Sequence, residues 1–336
     1  MRLGKLLILG IMICQFAGCS SFRMNSAATT QSEENAVVEN SAQNNLSDTD
    51  AASSGYTLSM FDHASESNNG KAIRSVYDYG VVGDGIMDDT EAIQKAIDSD
   101  MPVYFPRGTY AISQPILITG KIYWSMYAQD ATFLYTGNDF AFRIMSAENC
   151  HIEIGQIKAM DGGGIEFYSD SNTNWNQYVS LSFNCIECKT DCIHVKVTNE
   201  GWSTENQIYG GRFKAGENGV NVEHPGMDFT NGWKFYNCGI EGVTNGFCFN
   251  AGWGYIDDMV IVNPRYEESY KTILKTKGKV FNCLWIGTSV FKSEEIECSR
   301  QTDRFEIIAP IGDEGHRGCI IDGKLMVEKI DYEETQ

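Results

Sequence analysis

Tyr77-Asp78-Tyr79-Gly80-Val81-Val82-Gly83-Asp84-Gly85-Ile86-Met87-Asp88-Asp89-Thr90-Glu91-Ala92-Ile93-Gln94-Lys95-Ala96-Ile97, followed by Val103-Tyr104-Phe105-Pro106-Arg107-Gly108-Thr109-Tyr110-Ala111-Ile112-Ser113, decides how the rest of the chain is read. Gly80, Gly83 and Gly85 supply the backbone freedom for a tight loop. Asp88 and Glu91 have capping-box spacing ahead of Ala92, Ile93, Ala96 and Ile97, which recur at helical period. Pro102 stops that helix, and Val103–Phe105 is a short strand broken by a Pro-Arg-Gly turn. The predicted order is extended segment, glycine loop, short capped helix, strand, turn and strand.

Beyond residue 150 the sequence repeats at a period of about 27 residues. Ile157-Lys158-Ala159, Ile186-Glu187-Cys188, Phe213-Lys214-Ala215, Ile240-Glu241-Gly242, Tyr266-Glu267-Glu268 and Phe291-Lys292-Ser293 mark successive coils. Most are followed by a turn and a second apolar alternation, as in Gly164-Ile165-Glu166-Phe167, Ile193-His194-Val195, Val220-Asn221-Val222 and Phe247-Cys248-Phe249. Alternation predicts strands, and a repeat of this length predicts a solenoid whose coils bury one another's apolar faces. Stacked strands lie ~4.8 Å apart, so equivalent positions should form columns along the axis. Lys158, Glu187, Lys214, Glu241, Glu267 and Lys292 form one such outward column. Opposite charges alternate along it until Glu241 meets Glu267.

The N-terminal stretch closely resembles the opening segment of the pectate-lyase-like, right-handed parallel β-helix superfamily. That superfamily includes polygalacturonases, polysaccharide lyases, uronan epimerases and phage tailspike depolymerases. The resemblance implies an all-β chain, a right-handed parallel β-helix over residues 71–336 with a short N-terminal capping helix. It also implies a polysaccharide partner and a polysaccharide-degrading enzyme, either a glycoside hydrolase or a polysaccharide lyase. The rival expectation is a non-catalytic glycan-binding or adhesive β-helix. The segment carries no catalytic residue in those families, so it speaks for fold and not for chemistry. Some members trimerise, which leaves room for a homotrimer.

Residues 1–18 read as an export signal: Arg2 and Lys5 precede an apolar run from Leu6 to Ile13, too short to span a membrane as a helix. Phe16-Ala17-Gly18-Cys19 resembles a bacterial lipoprotein processing box, with Phe16 where leucine is usual. That resemblance implies lipid attachment at Cys19 and an exported, membrane-anchored lipoprotein at the bacterial cell surface. Residues 19–70, rich in Ser, Asn, Ala, Thr and acids, are too poor in apolar residues to fold alone and read as a disordered tether. The formal net charge of the chain is −19, most of it beyond residue 70. Such a surface excludes nucleic acid and anionic lipid as partners. No cofactor is expected. Calcium enters only with a polyuronate substrate, bridging it to carboxylates such as Asp257 and Glu267.

Three stretches are candidates for chemistry. Glu241 and Glu267 on neighbouring coils would place two carboxylates ~5 Å apart, a spacing that suits a retaining glycosidase; alternatively the column slips by one coil and Arg265 bridges them. Asp257 and Asp258 with Arg265, Glu267 and Glu268 form the densest run of ionisable groups beside aromatics, namely Trp233, Trp253 and Tyr266. Acids to move protons and flat rings to stack on a pyranose are what a sugar site needs; the bland alternative is a turn aspartate with surface charge. On this reading Glu241, Glu267, Asp257, Asp258 and Arg265 are catalytic and Trp233, Trp253 and Tyr266 bind substrate. Thr190-Asp191-Cys192-Ile193 resembles the Asp-Asp-Cys-Ile stretch of polygalacturonases. Thr190 stands where its first aspartate would be, and no Gly-His-Gly follows, so Asp191 is expected to be a turn residue. Cys185, Cys188 and Cys192 with His194 have spacing that could ligate a metal, but filling of stacked apolar columns accounts for them better, and no metal is expected.

Overall fold

The computed structural model describes residues 72–328, apart from 172–174, 215, 268–270, 288–291 and 312–314. The export signal, Cys19, the tether and Glu268 lie outside the described residues. The chain winds as an all-β parallel solenoid of about eight turns, with one short α-helix among the described residues. The coils stack in up to four ladders, here A to D in chain order, with D starting at Trp175–Gln177. In ladder A, Met126, Ile152, Leu181, Ile208, Phe235, Ile261, Trp285 and Ile307 pair rung on rung. Ladder B stacks Phe133, Ile157, Ile186, Phe213, Ile240 and Tyr266. Ladder C stacks Phe142, Ile165, Ile193, Val220, Phe247 and Leu274.

The alternation read from sequence has a simple cause here. Every second residue points into a lumen filled by its own column, and each buried aliphatic contributes roughly 1.5–3 kcal/mol. Ladder D is the exception, because its inward column begins with Asn176, Ser203 and Thr230, all buried. The corner from D to A is held by amides: Asn206 Oδ1 accepts from Val179 N at 2.9 Å and its Nδ2 donates to Asn176 O at 2.9 Å. These side chains satisfy backbone groups that the tight corner leaves out of the ladders.

The helix α1 runs from Thr90 to Asp98 and buries Ile93, Ala96 and Ile97, the positions its period selects. Its cap differs from the expected box. Asp88 Oδ1 accepts from Thr90 N at 3.1 Å, whereas Asp89 turns its carboxylate back to Val82 N at 2.7 Å and Gly83 N at 2.9 Å. One aspartate starts the helix while the next ties down the glycine loop. Gly83 needs its φ of +71°, and a Cβ there would lie 2.8 Å from the Tyr110 ring.

The outward column is in the expected register for five of its six members. Lys158 pairs with Glu187, Glu187 with Lys214, Lys214 with Glu241, and Glu241 with Glu267. Lys292 does not continue it; it precedes a 3-10 turn at Ser293–Glu295 and donates its N–H to Glu295 at 2.7 Å. The parallel winding ends at Thr302–Ile311, which pairs antiparallel with Gly315–Ile321, itself antiparallel to Lys324–Glu328. Alternation has the same period in both arrangements, so the sequence could not distinguish a last coil from a closing meander.

Candidate functional site

The residues selected from sequence do not converge. Glu241 and Glu267 are rung neighbours on ladder B, but each has its own guanidinium: Arg212 lies 3.3 Å from Glu241, and Arg265 lies 2.7 Å from Glu267. The like-charge break is relieved by exposed ion pairs, which are worth ~0–1 kcal/mol and exclude no water. Asp257 belongs to ladder D, where its rung partners are Asn231 and Phe281. Burial, then the neighbouring Asp258 charge, push its carboxyl up to about 6. Asp258 is exposed in a left-handed turn. Two of the proposed sugar-stacking rings are corrected outright. Trp233 is fully buried against Phe167 and donates its Nε1–H to Ser203 O at 3.2 Å. Tyr266 follows Ile240 on the inward column of ladder B and stacks on Trp285 at 5.8 Å, so it faces away from Glu267.

The side chains that do converge lie on the outward face of ladder C. Arg143, Glu166, His194 and Asn221 stack rung on rung there, and Met145, Tyr168, Lys196 and Glu223 form the next column along. His194 Nδ1 sits 3.6 Å from Asp191 Oδ2 and 3.9 Å from Glu166 Oε1, while Nε2 faces Glu223 Oε1 at 3.4 Å. Asp191 accepts from Asn218 Nδ2 at 2.6 Å and Asn221 Nδ2 at 2.9 Å. Glu166 is paired with Arg143, whose Nη2 also holds Asp139 at 3.0 Å. Glu166, Asp191 and His194 are all buried, and the Phe140 ring lies 5.1 Å from the imidazole. Buried carboxylates persist only when paired in this way.

Asp191 is thus not a turn residue but an acceptor at the centre of a buried polar network. The imidazole of His194, 3.4 Å away, holds the half-buried Glu223 carboxyl below the usual glutamate range. The imidazole thus bridges two carboxylates, Asp191 at 3.6 Å on one nitrogen and Glu223 at 3.4 Å on the other. Glu166, His194 and Asn221 were visible in the sequence as the middle residues of Ile165-Glu166-Phe167, Ile193-His194-Val195 and Val220-Asn221-Val222. They are the outward positions of the second alternation of each repeat, as Lys158, Glu187 and Lys214 are of the first. Cys185 shares the outward rung of Arg212, whereas Cys188 and Cys192 face each other with sulfurs 3.4 Å apart and His194 lies on the outward face of ladder C. The four do not meet around a metal.

Tyr168 joins this face to an open groove of ≈590 Å³ lined also by Thr198, Glu200, Pro225, Met227 and Asp228. Its hydroxyl donates to Asp170 at 3.1 Å and lies 3.2 Å from Thr198 Oγ1. On the next coil Gly252-Trp253-Gly254 lies directly on the groove turn. A Cβ on Gly252 would be 2.0 Å from His224 O, and one on Gly254 1.7 Å from Asp228 O. Glycine at both places permits that approach, and Trp253, whose N–H bonds Gly226 O at 3.1 Å, is left 81% exposed. The other rings on this side are arranged differently. Trp175 stacks on Trp202 at 4.9 Å, and Phe229 and Tyr255 continue the pile on ladder D. Ring on ring, they present edges to solvent, whereas a sugar stacks on a face. Trp253 is the most exposed tryptophan among the described residues.

Beneath the groove, His224 is buried, and burial pushes its imidazole down to about 4 against the opposing pull of Asp228. The neutral ring is the folded form. As pH falls from 6.5, the unfolded chain takes up a proton that the folded chain refuses until about pH 4. Stability should therefore drop by about 3 kcal/mol across that window. Urea midpoints measured at steps from pH 7 to 4 should fall accordingly; a flat midpoint would show that the buried ring accepts the proton freely.

Residues 73–123 match the family model described as rhamnogalacturonase A/epimerase, pectate lyase-like. The chain is 57% identical over 44 residues to the pre-neck appendage protein of Bacillus phage B103, covering 13% of this chain and 5% of that protein. It is 50% identical over 50 residues to plasmin and fibronectin-binding protein A of Streptococcus pneumoniae, covering 13% and 7% respectively. Each match thus spans a small fraction of the relative's length. Among solved structures, the Dettilon tailspike protein aligns with 70% of this chain and 54% of its own at 12% identity and a TM-score of 0.48.

Proposed function

We propose that this is a surface glycan-binding protein whose polysaccharide lies on the outward face of ladder C, from the His194 network to the groove beside Trp253. One observation carries the reading: a tryptophan 81% exposed, held out by flanking glycines, beside an open groove whose Tyr168 abuts a buried polar network. An exposed aromatic face beside a groove that carries fixed polar groups is the arrangement that binds a pyranose. The pectate-lyase-like match at residues 73–123 and the lipoprotein-like Cys19 support a carbohydrate partner met outside the cell. The pneumococcal relative, named for its binding of plasmin and fibronectin, supports an adhesive role on a similar scaffold.

Hydrolysis is the second reading, and Asp191–His194–Glu223 is the observation that favours it. Of the two acids, Glu223 reaches solvent, whereas Asp191 is locked by two asparagines. That asymmetry ranks binding first. A glycan panel should yield a ligand whose affinity falls at least about tenfold in Trp253→Ala, the scale of a lost stacking contact. Unchanged affinity in that variant would sink the groove. Reducing ends released by the wild type and abolished in Glu223→Gln, with binding retained, would promote the hydrolase; absorbance of unsaturated uronates would instead mark β-elimination.

A further inference from the structure

We propose that Cys188 and Cys192 are a modification site: they close into a disulfide that staples the corner between ladders B and C, immediately before and after the turn that presents Asp191. Cys188 ends the strand Ser180–Cys188 and Cys192 lies in the strand Asp191–Val197, with only Lys189 and Thr190 between the two strands. Their sulfurs face each other at 3.4 Å, both buried. On the next coil the backbone of Gly216 closes over them; a Cβ there would lie 3.3 Å from each sulfur. Cys185 is no competitor, because it occupies the outward rung of Arg212.

The chemistry is an exchange with a small-molecule disulfide such as oxidised glutathione. One cysteine thiolate attacks it, forming a mixed disulfide and releasing one thiol. The second cysteine sulfur then attacks the mixed disulfide, forming the Cys188–Cys192 bond and releasing the other thiol. The two cysteines lose two protons and two electrons, and the small disulfide is reduced to two thiols. Burial raises the Cys192 thiol well above its ordinary value, so the thiolate is scarce once the coil has closed. The bond therefore forms while the chain is folding, and the finished solenoid shields it. It fixes the backbone on both sides of Asp191, whose carboxylate organises Asn218, Asn221 and His194.

The test uses the full chain refolded with oxidised or with reduced glutathione, then denatured and alkylated without reductant. Trypsin cuts after Lys189 and so separates the two cysteines. In the oxidised preparation, residues 159–189 and 190–196 should appear as one linked species, about 2 Da lighter than the sum of the two thiol peptides. They should appear separately, both alkylated, after reduction. The link should survive Cys185→Ser and vanish in Cys192→Ser. Alkylation of both Cys188 and Cys192 in the oxidised preparation, or a link that persists in Cys188→Ser, would overturn the proposal. The readout involves no glycan, so it stands whether or not the ladder C face binds one.

Discussion

Trp233→Ala should cost the fold about 3–5 kcal/mol, while Trp253→Ala, the same change twenty residues on, should cost less than about 0.5 kcal/mol. Trp233 is fully buried, its ring set edge-on to Phe167 at 4.9 Å and stacked with Phe235 at 6.0 Å. Removing it leaves a cavity across ladders A and C and takes away the indole hydrogen bond to Ser203 O. Coils in a solenoid contact only their neighbours, so they cannot collapse far to fill the space. Trp253 is 81% exposed and packs on little, so its loss should appear in glycan affinity and not in melting temperature. Thermal unfolding of both variants, run beside a binding assay, decides the assignment. Equal melting losses would mean that Trp253 is a second core tryptophan; a melting loss below about 1 kcal/mol for Trp233→Ala would contradict its placement in the core.

Arg143→Met should be nearly as damaging at neutral pH, by about 3–5 kcal/mol, because it strands the buried Glu166 carboxylate beside Asp191. Arg143→Met combined with Glu166→Leu should recover most of the loss, since replacing both members of a buried ion pair is often neutral. No recovery in the double variant would mean that Arg143 acts through packing of its stem and not through the ion pair.

Much of the architecture was legible before any coordinates, because local rules and global fold agree in a solenoid. Lys158, Glu187, Lys214, Glu241 and Glu267 share a column because a repeat of fixed length stacks like on like. Gly80, Gly83 and Gly85 take the positive φ values that their clustering predicts, and Ile93, Ala96 and Ile97 are the buried stripe of α1. What a periodic pattern cannot express is which wall of the coil a strand belongs to. Asp257 and Glu267 are ten residues apart, yet the corner at Asp258 and Asn263, both in left-handed conformation, sends them to ladders D and B. The six tryptophans read alike in sequence, but Trp233 lies inside, Trp175 and Trp202 cover each other's faces, and two glycines push Trp253 out.

The site followed the same division. By itself the sequence determined the solenoid, its axis-wise columns and the polar identity of Glu166, His194 and Asn221, since each alternates with core aliphatics. Only the tertiary structure decided that Asp191, His194 and Glu223, from two coils and 32 residues of chain, meet within 3.6 Å contacts around one imidazole, while Glu241 and Glu267 find separate arginines. The physical reason is that stacking fixes distance along the axis at ~4.8 Å, whereas burial across a coil depends on which loops fold over each wall.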